Sequence, residues 1–178
     1  AVATCNGTAG LVAAIKCVNE ESFRTWYTSA YSFIASANAI TLAEHDPVLV
    51  DIDLSTWMPR NKVDLSVDLF GMEAPTGIIQ DSCEAIGTRL RAKVGVFSFY
   101  ANKMVTCGEG GCVVTNCGEA ARRLRAYVNQ GRTDMRFLRH DALGTNSRIT
   151  EMQAALGWSQ MQRMHLTWYR RNKIATRY

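Results

Sequence analysis

Residues 94–115 read VGVFSFYANKMVTCGEGGCVVT. The β-branched and aromatic run at 94–100 predicts a strand, and residues 112–115 predict a second. Between them ANKMVTCGEGG has the composition of a loop. Lys103 therefore stands in a loop leaving a strand, five positions after Ser98. A lysine near cationic or apolar groups can give up its proton and attack an aldehyde. A surface lysine on a glycine-rich loop is the plainer reading of the same residues. Gly108-Glu109-Gly110-Gly111 is not a P-loop, because no Gly-Lys-Ser/Thr follows.

Outward from this stretch, short strand-like runs alternate with helical ones. Residues 8–18 (TAGLVAAIKCV) predict a helix opened by Asn6-Gly7-Thr8. Residues 23–28 predict a short strand, 32–43 a helix and 47–52 a strand. Residues 63–70 alternate as VDLSVDLF, the pattern of a half-buried strand, and residues 78–80 lead to Asp81. Residues 119–129 predict an amphipathic helix with arginines on one side, and one long helix is expected from about Thr150 onward. The alternation argues for an α/β fold: a mostly parallel sheet flanked by helices. In such sheets ligands gather at the carboxyl ends of strands and phosphates at helix N-termini.

Composition narrows the function classes. The 178 residues, 47% hydrophobic and 20% charged, suit one domain or one domain with part of a second. A net charge of +4 is too mild to imply nucleic acid, and Arg122, Arg123, Arg125, Arg170 and Arg171 read as solvated helix faces. No apolar run reaches the ~18 residues of a membrane span. AVATCNGTAG lacks the basic and apolar regions of a signal peptide, and both ends read as cut within an element. The six cysteines form no C-x-x-C pair, so reduced thiols in a cytoplasmic protein and no metal site are expected.

Three further pieces accompany the lysine. Asn6-Gly7-Thr8-Ala9 joins a strand-like end to a helix, where free N–H groups and the Thr8 hydroxyl can bind a phosphate; an ordinary N-cap is the plainer reading. Asp81, at a strand end, can pair with a protonated ring nitrogen or merely cap a helix. Asn146 and Arg148, in Gly144-Thr145-Asn146-Ser147-Arg148 before the last helix, can reach a phosphate within the chain or across a dimer. Alone, they read as a cap and a solvated arginine. Each piece has a bland explanation; their order together does not.

The run DSCEAIGTRLRAKVGVFSFYANKMVTCGEGGCVVTN resembles the centre of the DegT family of nucleotide-sugar aminotransferases. CNGTAGL, AYSFIASANAI and PVLVDID before it, and NQGR, FLRHDALGTNSR and MQAALGWSQMQRM after it, resemble that family's other motifs in order. The resemblance covers essentially the whole chain and implies the large domain of a fold-type I pyridoxal-phosphate enzyme. It implies Lys103 as the Schiff-base lysine and Asp81 as the partner of the pyridine nitrogen. It places Thr8, Ala9 and Ser98 on the phosphate and Phe33 against the ring. Asn146 would reach the neighbouring subunit's phosphate in a homodimer with shared sites. Glu84, where many members carry His or Gln, is similar to the perosamine-synthase branch, whose members aminate a GDP-linked 4-keto-6-deoxy sugar.

The departures are specific. The C-terminal small domain is largely absent, and residues 54–63 and 71–78 are too short for the helices expected there. Gly144-Thr145 stands for the usual Gly-Tyr. The expectation is a pyridoxal-phosphate-dependent aminotransferase, cytoplasmic, using an amino-acid donor such as glutamate and a nucleotide-linked keto sugar, GDP-4-keto-6-deoxymannose by resemblance. The alternatives are a sugar dehydratase of the same family, in which His typically replaces the lysine, and a non-catalytic remnant of the fold.

Overall fold

The structure is a computed structural model that describes residues 1–18, 24–134 and 136–178. Its elements in chain order are β1 (Val2–Thr4), α1 (Gly7–Val18), β2 (Thr25–Ser29), α2 (Ala35–Leu42) and β3 (Asp46–Val50). Then come β4 (Ile52–Asp53), β5 (Met58–Pro59), β6 (Leu65–Val67), β7 (Ile79–Asp81), β8 (Val94–Ser98) and β9 (Gly111–Thr115). The helices α3 (Gly118–Val128), α4 (Glu151–Met161) and α5 (Met164–Ala175) follow. β4 and β5 form a small antiparallel ribbon.

The main sheet has the order β1-β9-β8-β7-β6-β2-β3. From β8 to β3 every pairing is parallel, while β9 is antiparallel to both β8 and β1. Six strands thus share a direction and their carboxyl ends share one edge. The expected α/β architecture is what forms.

α1 explains why. Its Ala-rich sequence lets the backbone lie close to the sheet, with Ala13, Ala14 and Ile15 wholly buried. It touches β1, β7, β8 and β9, and α2 and α3 pack beside it. Val96 faces α1 through Gly10, while the open side of Gly95 faces Leu90 on the other side of the sheet. Both faces are covered, and strands covered on both faces read as continuously buried.

That corrects the reading of residues 63–70 as a half-buried strand. Only Leu65–Val67 is strand, and all three residues are buried. The polar members of the pattern turn inward because partners await them. Ser66 donates to the Ile79 carbonyl at 3.1 Å. Asp68, fully buried, accepts from Ala74 N (2.9 Å) and Arg91 Nη2 (2.5 Å) on one oxygen. Its other oxygen accepts from Gln80 Nε2 (2.8 Å) and Ser82 Oγ (2.7 Å). Four donors fill a carboxylate's acceptor capacity.

Other boundaries moved for local reasons. The helix expected at 32–43 begins only at Ala35, and the strand at 47–52 divides between β3 and β4. The strand expected at 23–28 is β2, and its call on Phe23 lies outside the described residues. The single long helix from Thr150 is two. Arg163 Nε takes the Ser159 carbonyl at 3.4 Å, the acceptor a continuing helix would give to Arg163 N, which bonds Gln160 instead. No helix among the described residues is long and apolar enough to cross a membrane.

Removing one partner of a buried ion pair leaves an uncompensated charge. Arg91→Ala should therefore cost about 3–5 kcal/mol of stability by orphaning Asp68. Urea unfolding checks this, and a loss below about 1 kcal/mol would mean that the remaining three donors suffice.

Candidate active site

At the carboxyl edge of the sheet five segments meet around a cleft of about 390 Å³. The first is the β1–α1 turn. Thr4 Oγ1 donates to the Asn6 carbonyl (2.9 Å), and Asn6 Oδ1 accepts from Ala9 N (2.8 Å), so Asn6 caps α1. Among the described residues this leaves the Gly7 and Thr8 amides without a protein acceptor, at the positive end of a twelve-residue helix.

Two glycines permit the convergence. A Cβ on Gly7 would lie 3.0 Å from both Cys83 Sγ and Ser98 Cβ, so only glycine lets α1 start against the ends of β7 and β8. A Cβ on Gly111 would lie 2.6 Å from the Asn6 carbonyl oxygen. The Gly-Gly at the end of the lysine loop thus serves close backbone approach rather than a phosphate.

Asp81 ends β7, 5% exposed. Its Oδ1 accepts from Cys83 N (3.1 Å) and its Oδ2 from Ser36 Oγ (2.8 Å). Among the described residues no cation is within ion-pair distance of it. Burial pushes its carboxyl above the ordinary range, hydrogen bonds from Cys83 and Ser36 oppose the rise, and neighbouring Asp68 adds to it. Burial and Asp81 together push the Cys83 thiol well above its usual value, which keeps it neutral and unreactive.

Lys103 follows β8 in a turn closed by its amide on the Tyr100 carbonyl (2.9 Å). Its ammonium reaches into the cleft and pairs with Glu84, whose side chain is 38% exposed. Ser98, buried, ends β8, and its hydroxyl accepts from Tyr100 N (3.3 Å). Phe33, 69% exposed, stands on the cleft wall just before α2.

The structure therefore gathers Thr8, Phe33, Asp81, Glu84, Ser98 and Lys103 in one cleft. Ala9 is not part of the cleft wall, and its amide belongs to Asn6. Asn146 is exposed and away from the cleft, in a strand-like bridge to Asn129. It caps no helix. Thr150 does that for α4, in a reciprocal capping box with Gln153, and Arg148 Nη1 bonds Asn129 Oδ1 at 2.7 Å. Sequence reasoning missed Ser36 and Cys83, whereas Asn6 is the N-cap that the Asn6-Gly7-Thr8 start signal implied. Ser36 lies three residues after Phe33, a helical spacing that could have pointed to it.

A ligand for this cleft needs an anionic group for the α1 terminus, a cationic N–H for Asp81 and an electrophile for Lys103. Pyridoxal phosphate has all three, so the residues present fit it. Comparison with known proteins agrees. The model of the DegT/DnrJ/EryC1/StrS aminotransferase family matches residues 1–63 and 72–178. The chain belongs to this family. DegT-family enzymes are pyridoxal-phosphate-dependent aminotransferases.

GDP-perosamine synthase of Caulobacter vibrioides is 31% identical over 194 residues, covering 92% of this chain and 52% of that protein. A UDP-N-acetyl-3-dehydro-alpha-D-glucosamine 3-aminotransferase of Acidithiobacillus ferrooxidans is 30% identical, covering 87% and 50%. Among solved structures, Helicobacter pylori PseC, an aminotransferase of pseudoaminic acid biosynthesis, superimposes with a TM-score of 0.77 at 26% identity, covering 92% and 53%. The chain spans about half the length of the curated relatives it matches.

Asp81 gives a pH test on the cofactor-free protein. Its folded pKa lies above the unfolded value of about 3.9, so ionising it in place costs stability. The cost is absent below about pH 4 and accumulates as pH rises toward and through the folded value. Asp81→Asn should then be more stable than the parent at neutral pH and equal to it near about pH 3–4. Urea midpoints across that range check it; a parent more stable at neutral pH would contradict it.

Proposed function

We propose that this chain forms the cofactor-binding part of a cytoplasmic aminotransferase. It moves an amino group from an amino acid, glutamate by family analogy, to a keto-deoxy sugar carried on a nucleotide. The observation that carries the reading is the cleft itself. Asp81, buried without a cation among the described residues, and Lys103, on the adjacent strand's loop, both face it beside the N-terminus of α1. The perosamine synthase relative favours GDP-4-keto-6-deoxymannose as the acceptor, and the 3-aminotransferase relative shows that another nucleotide occurs among similar proteins.

Bound pyridoxal phosphate supplies an aldehyde and a protonated ring that draws electrons from the substrate carbon. Lys103 Nζ would hold the cofactor through its aldehyde and, when free, would be the base that holds or moves a proton at the end of its side chain. Glu84 is placed to hold the proton that Lys103 must lose before it attacks. Asp81 keeps the ring nitrogen charged. Thr8, Ser98 and the α1 terminus hold the phosphate, Ala9 joining them only if its amide leaves Asn6, and Phe33 covers the ring. Lys103 favours amine transfer over the dehydratase alternative.

The site is read as shared. Asn146 lies outside its own cleft, on a loop fixed by Cys5 N to the Ser147 carbonyl (2.8 Å), and is assigned to the partner subunit's phosphate. Met152, Leu156 and Met161 on α4 are exposed and supply an apolar surface for a second copy.

Borohydride reduction of the cofactor-loaded protein should fix a pyridoxyl group on Lys103, and Asp81→Asn should bind cofactor yet lose about a hundredfold or more in amine-transfer rate. Peptide mapping that found the label on Lys62, Lys93 or no lysine would sink the assignment.

The shared site has its own test. Mixed dimers of Asn146→Ala with Lys103→Ala subunits should regain about half of the parent sites, because one site in each keeps both residues. No recovery above either variant alone would show that Asn146 does not serve a neighbour.

A further inference from the structure

Two serine hydroxyls stand in line behind Asp81. Ser36, in the first turn of α2 and 1% exposed, donates to Asp81 Oδ2 at 2.8 Å. Ser32, on the cleft wall, has its Oγ 2.6 Å from Ser36 Oγ and 3.1 Å from the Phe33 carbonyl oxygen. Two hydroxyl hydrogens thus face three acceptors: Asp81 Oδ2, Ser36 Oγ and the Phe33 carbonyl.

Proton counting fixes their order. An ionised carboxylate only accepts, so Ser36 must give its hydrogen to Asp81. Ser36 then receives the Ser32 hydrogen, and the Phe33 carbonyl goes without. If Asp81 is protonated the line can reverse, running from Asp81 through Ser36 and Ser32 to Phe33. Each charge state of Asp81 has its own hydroxyl order, and the far end of the line lies on the cleft wall.

We propose that Ser36, backed by Ser32, is a positioning residue that holds Asp81 ionised and fixes which face of its carboxylate meets the cofactor's ring nitrogen. This rests on the reading of Asp81 given above. The carboxylate is held on both oxygens from different elements, Oδ2 by α2 and Oδ1 by the turn after β7. Rotation about the Asp81 side chain would break both bonds at once. Each oxygen keeps a further acceptor position for a ligand.

The other titratable groups around Asp81 are Asp68 after β6, Cys83 in the turn after β7, and the Lys103–Glu84 pair in the cleft. Substitution at Ser36 leaves all of them in place. A change in Asp81 then reports the hydroxyl. The sign is fixed: a donor to the charged form lowers a carboxyl pKa, so losing the donor raises it. Cofactor binding, which an ionised Asp81 strengthens without being indispensable to it, then weakens at a higher pH than in the parent.

The test is a carboxyl ¹³C NMR titration of Asp81 in the cofactor-free full chain, paired with pyridoxal phosphate dissociation constants across pH. Ser36→Ala should raise the Asp81 midpoint by about one unit or more and weaken cofactor binding about tenfold or more on the acid side. Ser36→Thr, which keeps the hydroxyl, should restore both, and Ser32→Ala should shift both in the same direction by less. An unmoved midpoint in folded Ser36→Ala, or a shift that threonine does not rescue, overturns the proposal. If Ser36→Ala does not fold, Ser32→Ala decides: an unmoved midpoint there overturns the relay. A midpoint that moves while cofactor affinity does not upholds Ser36's hold on Asp81 and overturns the pairing of Asp81 with the cofactor.

Discussion

Asp81 is a carboxylate taken out of water at the end of a central strand, with hydrogen bonds but, among the described residues, no counter-charge. Much of the surrounding fold serves that condition. Six strands sharing a direction bring the ends of β7 and β8 to one edge. Gly7 lets the α1 terminus press against both ends. The neighbouring strand shows what a satisfied carboxylate looks like here. Asp68, whose amide bonds the Asp81 carbonyl at 2.8 Å, receives four donors including a guanidinium. Two acids a strand apart meet opposite treatment. One has a guanidinium partner and holds the loops; the other is held by hydrogen bonds from Ser36 and Cys83.

The residues that line the cleft were more legible in the sequence than the architecture's details. Lys103, Asp81, Ser98 and Thr8 could be found because each follows a recognisable strand end or opens a helix, and a parallel sheet brings such positions together whatever the loops between them do. Ser36 was hidden because its partner is 45 residues away, a distance that no local pattern spans. The pattern at 63–70 misled for a related reason. Alternation reports one wet face only when the polar residues lack internal partners, and Ser66 and Asp68 have them. The division of the last helix turns on one side chain, Arg163, reaching a backbone carbonyl; no periodicity carries that.

The motif around Asn146 shows how neighbouring residues divide roles. Capping falls to Thr150, and Arg148 is spent on Asn129, so the loop's own helix does not need Asn146. Backbone bonds on either side strap the loop to α3 and to Cys5, just before the α1 turn. A polar side chain presented from a fixed backbone, and absent from its own cleft, is better arranged to meet something outside the chain than a residue on a slack loop.

Glu84 completes the comparison of acids. Its pair with Lys103 lies at the mouth of the cleft, where solvent reaches the carboxylate. Exposed ion pairs contribute only about 0–1 kcal/mol, against several for a buried pair broken on one side. The contact therefore orients Lys103 toward a carboxylate that solvent also reaches. Asp68 lacks that access: fully buried, it depends on Arg91 and its other donors, so its ion pair holds the surrounding loops more firmly than the Glu84 pair holds Lys103.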